Sequence, residues 1–201
     1  MTTLIAPPVD RRMTADEFDV YVSLPENADR RLEWHDGESF EMVAAFESSN
    51  PSIALLAALA NYLRQNRIGV LASSEAGFIV NGARYMTDGA FIRTERKIAS
   101  TTIKGYTSVA PDLAIESISP TDKTRSILKK LKNYEAAGTV VWLVDYDTYT
   151  IDVHVPGATI QSLTIDDSLD GGALLPGFSV PVKEVFDALI MLAEASKASG
   201  E

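Results

Sequence analysis

Between Ala110 and Asp145 the chain carries a pattern that few folds can accommodate: a buried strand, a helix and a second buried strand in quick succession. The first piece, Ala110-Pro-Asp-Leu-Ala-Ile-Glu-Ser-Ile-Ser-Pro120, is short, apolar and rich in Ile and Leu. Ser119, Pro120 and Thr121 read as a helix start, because a Ser or Thr oxygen accepts from orphan amides and Pro fits the first turn. Gly138 closes that helix, since Gly tolerates the left-handed conformation that follows a last turn. Thr139-Val-Val-Trp-Leu-Val-Asp145 is the second strand. Parallel strands need a crossover of this kind, so the stretch predicts a βαβ unit.

The flanking sequence supplies the rest of a mixed sheet. Thr14 and Glu17 form a capping box for a helix through about Leu24. Arg31 to Ala45 reads as a hairpin about Asp36-Gly37. Asn50-Pro51 opens a helix to about Gln65, with Gly69 marking its end. Val70 to Val80 and Ala83 to Arg93 read as two strands joined at Asn81-Gly82, and a polar loop spans Thr94 to Ser108. A hairpin turning at Pro156-Gly157, an irregular extended segment from Leu174 to Pro181, and a helix from Lys183 to about Ala195 complete the chain. The core order is helix, three strands, helix, strand. The expectation is one α/β domain over 13–195, with an N-terminal hairpin, a C-terminal β/α extension, and flexible termini at 1–12 and 196–201.

No cysteine is present, which removes disulfide and thiolate chemistry. The chain begins without the basic start and apolar run of a secretory signal, and an apolar run such as Ala54 to Ala60 is too short to span a bilayer. A cytoplasmic protein without membrane contact is expected. The net charge of −10 speaks against a polyanionic partner. Its distribution weakens that objection: Lys123, Arg125, Lys129, Lys130 and Lys132 face only Asp122 in their stretch, and Arg93, Arg96, Lys97 and Lys104 form a second basic cluster. Taken alone, such charge is more simply read as a solvated helix face and a soluble loop tip.

Asp112 and Glu116 lie four residues apart on one strand, hence on one face, about 13 Å apart along it. One hard cation cannot be held directly by both, so a partner must come from a neighbouring strand. If the strands flanking the 94–108 loop pair symmetrically, Asp88 falls opposite residue 115 or so, beside Glu116. Asp112, after Pro111, serves equally well as a turn former. Glu116 interrupts the run Leu113, Ala114, Ile115 and Ile118, where an unpaired charge is costly. On the helix, Ile127, Leu128, Leu131 and Tyr134 predict the buried stripe. At about 100° per residue, Lys130 borders that stripe while Lys129 points almost opposite. Acids that hold a divalent metal beside a lysine suit phosphodiester hydrolysis. His35 and His154 are lone and expected to be incidental.

Pro111-Asp-Leu-Ala-Ile-Glu116-Ser-Ile-Ser119-Pro120, then Lys130-x-x-x-Tyr134, Ala137-Gly138 and Trp142-Leu-Val-Asp145, resemble the core signature of the Uma-type restriction endonucleases, within the PD-(D/E)xK nuclease superfamily. Met13 to Phe18, Leu32-Glu33 with Asp36-Gly37-Glu38, Thr87 to Ile92, and Leu175 to Phe178 extend the resemblance over about 13–190. It implies a restriction-endonuclease-like fold and a magnesium-dependent nuclease site, with manganese as a substitute. Glu33, Asp88, Asp112, Glu116 and Lys130 map onto the catalytic positions, with Asp88, Asp112 and Glu116 as metal ligands. The lysine expected two residues after the acid is replaced by Ile118, and Lys130 supplies it from the following helix. Asn50, Thr87 and Gly89 depart from the family's usual residues. The expectation is a magnesium-dependent endonuclease acting on nucleic acid, DNA above RNA, as a homodimer. The alternative is a diverged, non-catalytic member serving as an interaction or assembly module.

Overall fold

The computed structural model describes residues 12–42, 46–96, 102–103, 105–118 and 124–199. Helix α1 (Ala15–Val22) starts on the expected capping box, in which Thr14 and Glu17 each bond the other's backbone. Strands β1 (Leu32–His35) and β2 (Glu38–Glu41) form the first hairpin. Its turn puts Asp36 at φ 55° and Gly37 at φ 85°, the left-handed pair that a two-residue hairpin requires. Helix α2 (Phe46–Gln65) begins earlier than Asn50-Pro51 suggested, with Pro51 inside its second turn. The reason is local: Ser49, Asn50 and Ser52 turn their side chains back onto helix carbonyls, which supports the turn where proline removes an amide.

The two long strands read from the sequence are each broken and shared between two sheets. Strands β3 (Gly69–Ser73), β4 (Gly77–Val80), β5 (Ala83–Met86) and β6 (Gly89–Arg93) replace them. The inner halves, β4 and β5, pair with each other and join β1 and β2, whereas β3 and β6 pair in the other sheet. Gly77 and Gly89 sit at the two breaks; a side chain at Gly77 would collide with Tyr106, and one at Gly89 would crowd Leu56. The expected polar loop contains two short strands, β7 (Thr102–Ile103) and β8 (Tyr106–Thr107), which complete the sheet β2-β1-β5-β4-β8-β7.

Strand β9 (Leu113–Ile118), helix α3 (Thr124–Ala137) and strand β10 (Val140–Asp145) form the βαβ unit, with β9 and β10 parallel. Gly138 closes α3 at φ 75°; the expected start at Ser119-Pro120-Thr121 lies outside the described residues. Strands β11 (Thr150–His154), β12 (Gln161–Leu163), β13 (Ser168–Asp170) and β14 (Ser179–Pro181) and helix α4 (Val182–Ser199) follow. The segment expected to be irregular therefore supplies β14, and α4 continues through residues 196–199, which were expected to be a flexible tail. The second sheet runs β12-β11-β10-β9-β6-β3. Its core order, α2, three strands, α3 and β10, is the one expected, and the mixed α/β class holds.

Alternation on β9 divides its two faces. Leu113 and Ile115 pack with Leu55 and Leu59 of α2 and with Val185, Phe186 and Leu189 of α4. Ala114 points the other way, among Tyr134 of α3 and Phe78, Val80 and Tyr85 of the first sheet. Glu116, next on that second face, is driven between α3 and the first sheet. No helix among the described residues is long and apolar enough to cross a membrane.

Candidate active site

Glu116 is buried, with only 8% of its surface exposed, and both carboxylate oxygens have donors. The Tyr134 hydroxyl donates to Oε1 at 2.7 Å, and the Lys130 ammonium donates to Oε2 at 2.9 Å. Lys130 also donates to Glu33 Oε1 at 2.8 Å, an oxygen that accepts the Met86 amide as well. The ammonium lies 5.1 Å from the Tyr85 ring centre, and Asn133 donates to the Tyr85 hydroxyl at 2.7 Å. Lys130, Asn133 and Tyr134 are three and four residues apart, so one helix face delivers all three. Strand β1 contributes Glu33 and β9 contributes Glu116.

The helix is rotated relative to the expected stripe. Leu128, assigned to the core by its spacing, is 61% exposed. Lys130 lies inside the buried face rather than at its border, with its side chain 16% exposed. The two acids and the Tyr85 ring account for this, since they give a buried ammonium the partners it needs.

Asp88 sits at the break between β5 and β6. Its amide donates to the Ile115 carbonyl at 3.0 Å, and its Oδ2 accepts the Ser117 amide at 2.8 Å. Gly89 pairs with Ile115, so one further step sets Asp88 across from Glu116, as the register argument expected. Ser117, on the opposite face, donates to the Ser48 carbonyl and meets the Ser52 hydroxyl, tying the strand end to α2.

Asp112 does not join this group. It lies at the start of β9 and is buried, accepting the Arg93 amide, the Arg93 Nε at 2.9 Å and the Arg96 Nε at 3.1 Å. Two arginines on one carboxylate make it an anchor for the chain after β6. The same contacts engage both described arginines of the basic loop; Lys97 and Lys104 lie outside the described residues. Lys129 reaches Asp36 at 2.5 Å, at the hairpin turn. His35 packs flat on Phe40 and has Ser126 Oγ 3.5 Å from its Nε2, so it stands closer to the site than a lone histidine suggested.

The electrostatics follow from burial. The Glu116 carboxyl is raised to about 7: burial is the largest influence and pushes it up, Lys130 pulls it down, and the charges of Glu33 and Asp88 push it up. Burial alone would favour the neutral amine of Lys130, but Glu116 and Glu33 outweigh it and hold its pKa above the ordinary value. Burial also raises the Tyr134 hydroxyl, which stays a hydrogen-bond donor. The pocket therefore holds more negative charge than one lysine balances. Among the described residues, no group of three or more His, Asp or Glu side chains is gathered closely enough to hold a metal ion.

Glu33, Glu116 and Lys130 thus come together, Asp88 stands just before the adjoining strand β6, and Asp112 is apart. Sequence reasoning gave Tyr134 only a core role and passed over Tyr85 and Asn133. The four-residue spacing from Lys130 to Tyr134 was the available signal.

A family model described as "Putative restriction endonuclease", Uma2, matches residues 18–183. Among solved structures, the chain resembles a "putative nuclease belonging to DUF820" from Anabaena variabilis, with a TM-score of 0.74 and 20% identity. That match covers 88% of this chain and 99% of the other. No curated protein matches.

Proposed function

The chain belongs to the Uma2 family, and we propose that it is a magnesium-dependent endonuclease that hydrolyses phosphodiester bonds in DNA. The observation that carries this reading is the buried Lys130 ammonium shared by Glu33 and Glu116, with Asp88 across from Glu116. Magnesium is commonly held by one or two carboxylates and keeps most of its waters, so Asp88 and Glu116 fit it by number and donor type. The excess negative charge around Glu116 supports the same reading. Manganese, which favours similar oxygen ligands, is the expected substitute.

Asp88 and Glu116 would hold the metal, which supplies phosphate polarisation and a water of lowered pKa. Lys130 brings a fixed positive charge to where charge develops on the phosphate. Glu33 holds that ammonium in place and, through the Met86 amide, ties it to the strand leading to Asp88. Tyr134 fixes the plane of the Glu116 carboxylate. Asp112 has no part in this scheme beyond anchoring Arg93 and Arg96.

The rival reading is a non-catalytic member acting as an interaction module. It draws on the net charge of −10 and on the absence of a three-carboxylate group among the described residues. Nicking of supercoiled plasmid separates the two. The purified protein is expected to nick with magnesium, to stop with chelator, and to lose activity in Asp88→Asn. Absence of nicking on DNA and RNA with both magnesium and manganese favours the rival.

A further inference from the structure

The second sheet carries another concave surface, on the side of β9 that packs against α2 and α4 and away from Glu116. Strand β10 ends at Asp145, paired with Ile118 two positions beyond Glu116. The turn that follows lines a groove of about 310 Å³, together with the start of α2 and the second half of α4. Three aromatic rings border it. Tyr146 packs on the core beneath. Tyr149 has a left-handed backbone, φ 55°, uncommon for a bulky residue, and its ring centre lies 5.5 Å from that of Phe186. Phe46, in the first turn of α2, is 63% exposed, and Leu192 on the α4 wall is 44% exposed.

Two carboxylates stand among these rings. Glu47 follows Phe46 and Asp147 follows Tyr146, and both acids line the groove. Both are exposed, and neither makes an ion pair among the described residues. No described lysine or arginine lines the groove, so it is aromatic and negative at once. A hard metal ion takes six or more oxygen ligands. Two carboxylates among rings suit an organic cation instead, which ring faces attract. Of the protein cations, arginine fits better than lysine: its guanidinium is planar and weakly hydrated, stacks on aromatic faces and meets a carboxylate through two N–H groups. The groove follows α4 for two turns, from Leu189 to Ser196, about 10 Å. That is longer than one guanidinium, so its occupant is a segment of chain.

We propose that the groove between α2, the β10–β11 turn and α4 is a docking site for an arginine-bearing basic segment of a partner protein. Glu47 and Asp147 neutralise its guanidinium groups, and Phe46, Tyr146 and Tyr149 supply the faces on which they stack. The proposal does not depend on the nuclease reading. Both acids lie outside the Glu33, Glu116 and Lys130 cluster, and the readout is peptide binding without metal.

Backbone amide NMR of the full chain in chelator tests it, with two end-blocked peptides, Gly-Arg-Gly-Arg-Gly and Gly-Lys-Gly-Lys-Gly. The arginine peptide is expected to shift the amide signals of 46–47 and 146–149 saturably, and to bind about fivefold tighter than the lysine peptide. Glu47→Gln, Asp147→Asn and Phe46→Leu, all at exposed positions, should each weaken it about fivefold. Glu26→Gln, at an exposed acid after α1, should bind as the wild type does. Undiminished binding in Phe46→Leu overturns the proposal, because charge alone then accounts for the interaction. Equal binding of the lysine peptide or of free arginine overturns it as well, as do shifts spread evenly over the other acids or no saturable shift. If the groove binds as expected but the protein nicks no DNA, the docking site stands and the nuclease reading falls.

Discussion

Replacing Glu116 by Gln isolates the energetic consequence of burying a carboxylate between α3 and the sheet. The carboxyl rises from its ordinary 4.5 to about 7 on folding. Below 4.5 the group is protonated in both states and costs nothing. Above it, the unfolded chain releases the proton before the folded one does, so stability falls until pH passes about 7. At about 1.4 kcal/mol per pH unit, the loss between pH 5 and pH 8 is about 2–3 kcal/mol. Acids remote from Glu116 titrate alike in the isosteric variant and cancel in the difference, whereas Glu33, Asp88 and Lys130 interact with it, so the remaining pH dependence belongs to that cluster. Urea unfolding of chelator-treated protein, followed by the fluorescence of Trp34 and Trp142, gives that difference at each pH. Wild-type stability relative to Glu116→Gln should fall by about 2–3 kcal/mol from pH 5 to pH 8. A difference that is flat with pH refutes the reasoning, because the carboxyl then pays no penalty for its site.

Lys130→Met leaves Glu33 and Glu116 facing each other without a cation. Its cost should be about 3–5 kcal/mol at pH 8 and smaller below pH 5, where the acids accept protons, as read by urea unfolding. Lys129→Ala removes an exposed pair with Asp36 and should stay within about 1 kcal/mol in the same assay, with plasmid nicking unchanged. Asp112→Asn strips two arginines of their shared charge and should cost about 1–3 kcal/mol by urea unfolding, while calorimetric magnesium affinity is retained.

The βαβ unit was legible because a run of Ile, Leu and Val, a lysine-rich amphipathic stretch and Gly138 each have one local meaning. The Asp88 register was legible to within a residue: symmetric pairing about the 94–108 loop puts it opposite residue 115 or so, and the pairing of Gly89 with Ile115 sets it across from Glu116. The division of the 70–93 hairpin between two sheets was not. Alternation of apolar and polar residues fits one long strand as well as two short ones, and the glycines at 77 and 89 mark the breaks only through close approach of Tyr106 and Leu56. The rotation of α3 was hidden for a related reason. Spacing treats Leu128 as core and Lys130 as border, but two carboxylates and an aromatic ring from distant strands reverse that order. The partners of Asp112 were not legible, because strand alternation gives its face and not its contacts; Arg93 at the end of β6 and Arg96 just beyond it both reach its carboxylate.

Calorimetric titration of magnesium into metal-free protein at pH 8 tests the central claim, that Asp88 and Glu116 form a cation site beside Lys130. The wild type should bind saturably at one site per chain, Asp88→Asn and Glu116→Gln should show no saturable heat, and Asp112→Asn should bind as the wild type does. Binding that survives both Asp88→Asn and Glu116→Gln, or that is lost only in Asp112→Asn, contradicts the account and moves the site to the other end of β9.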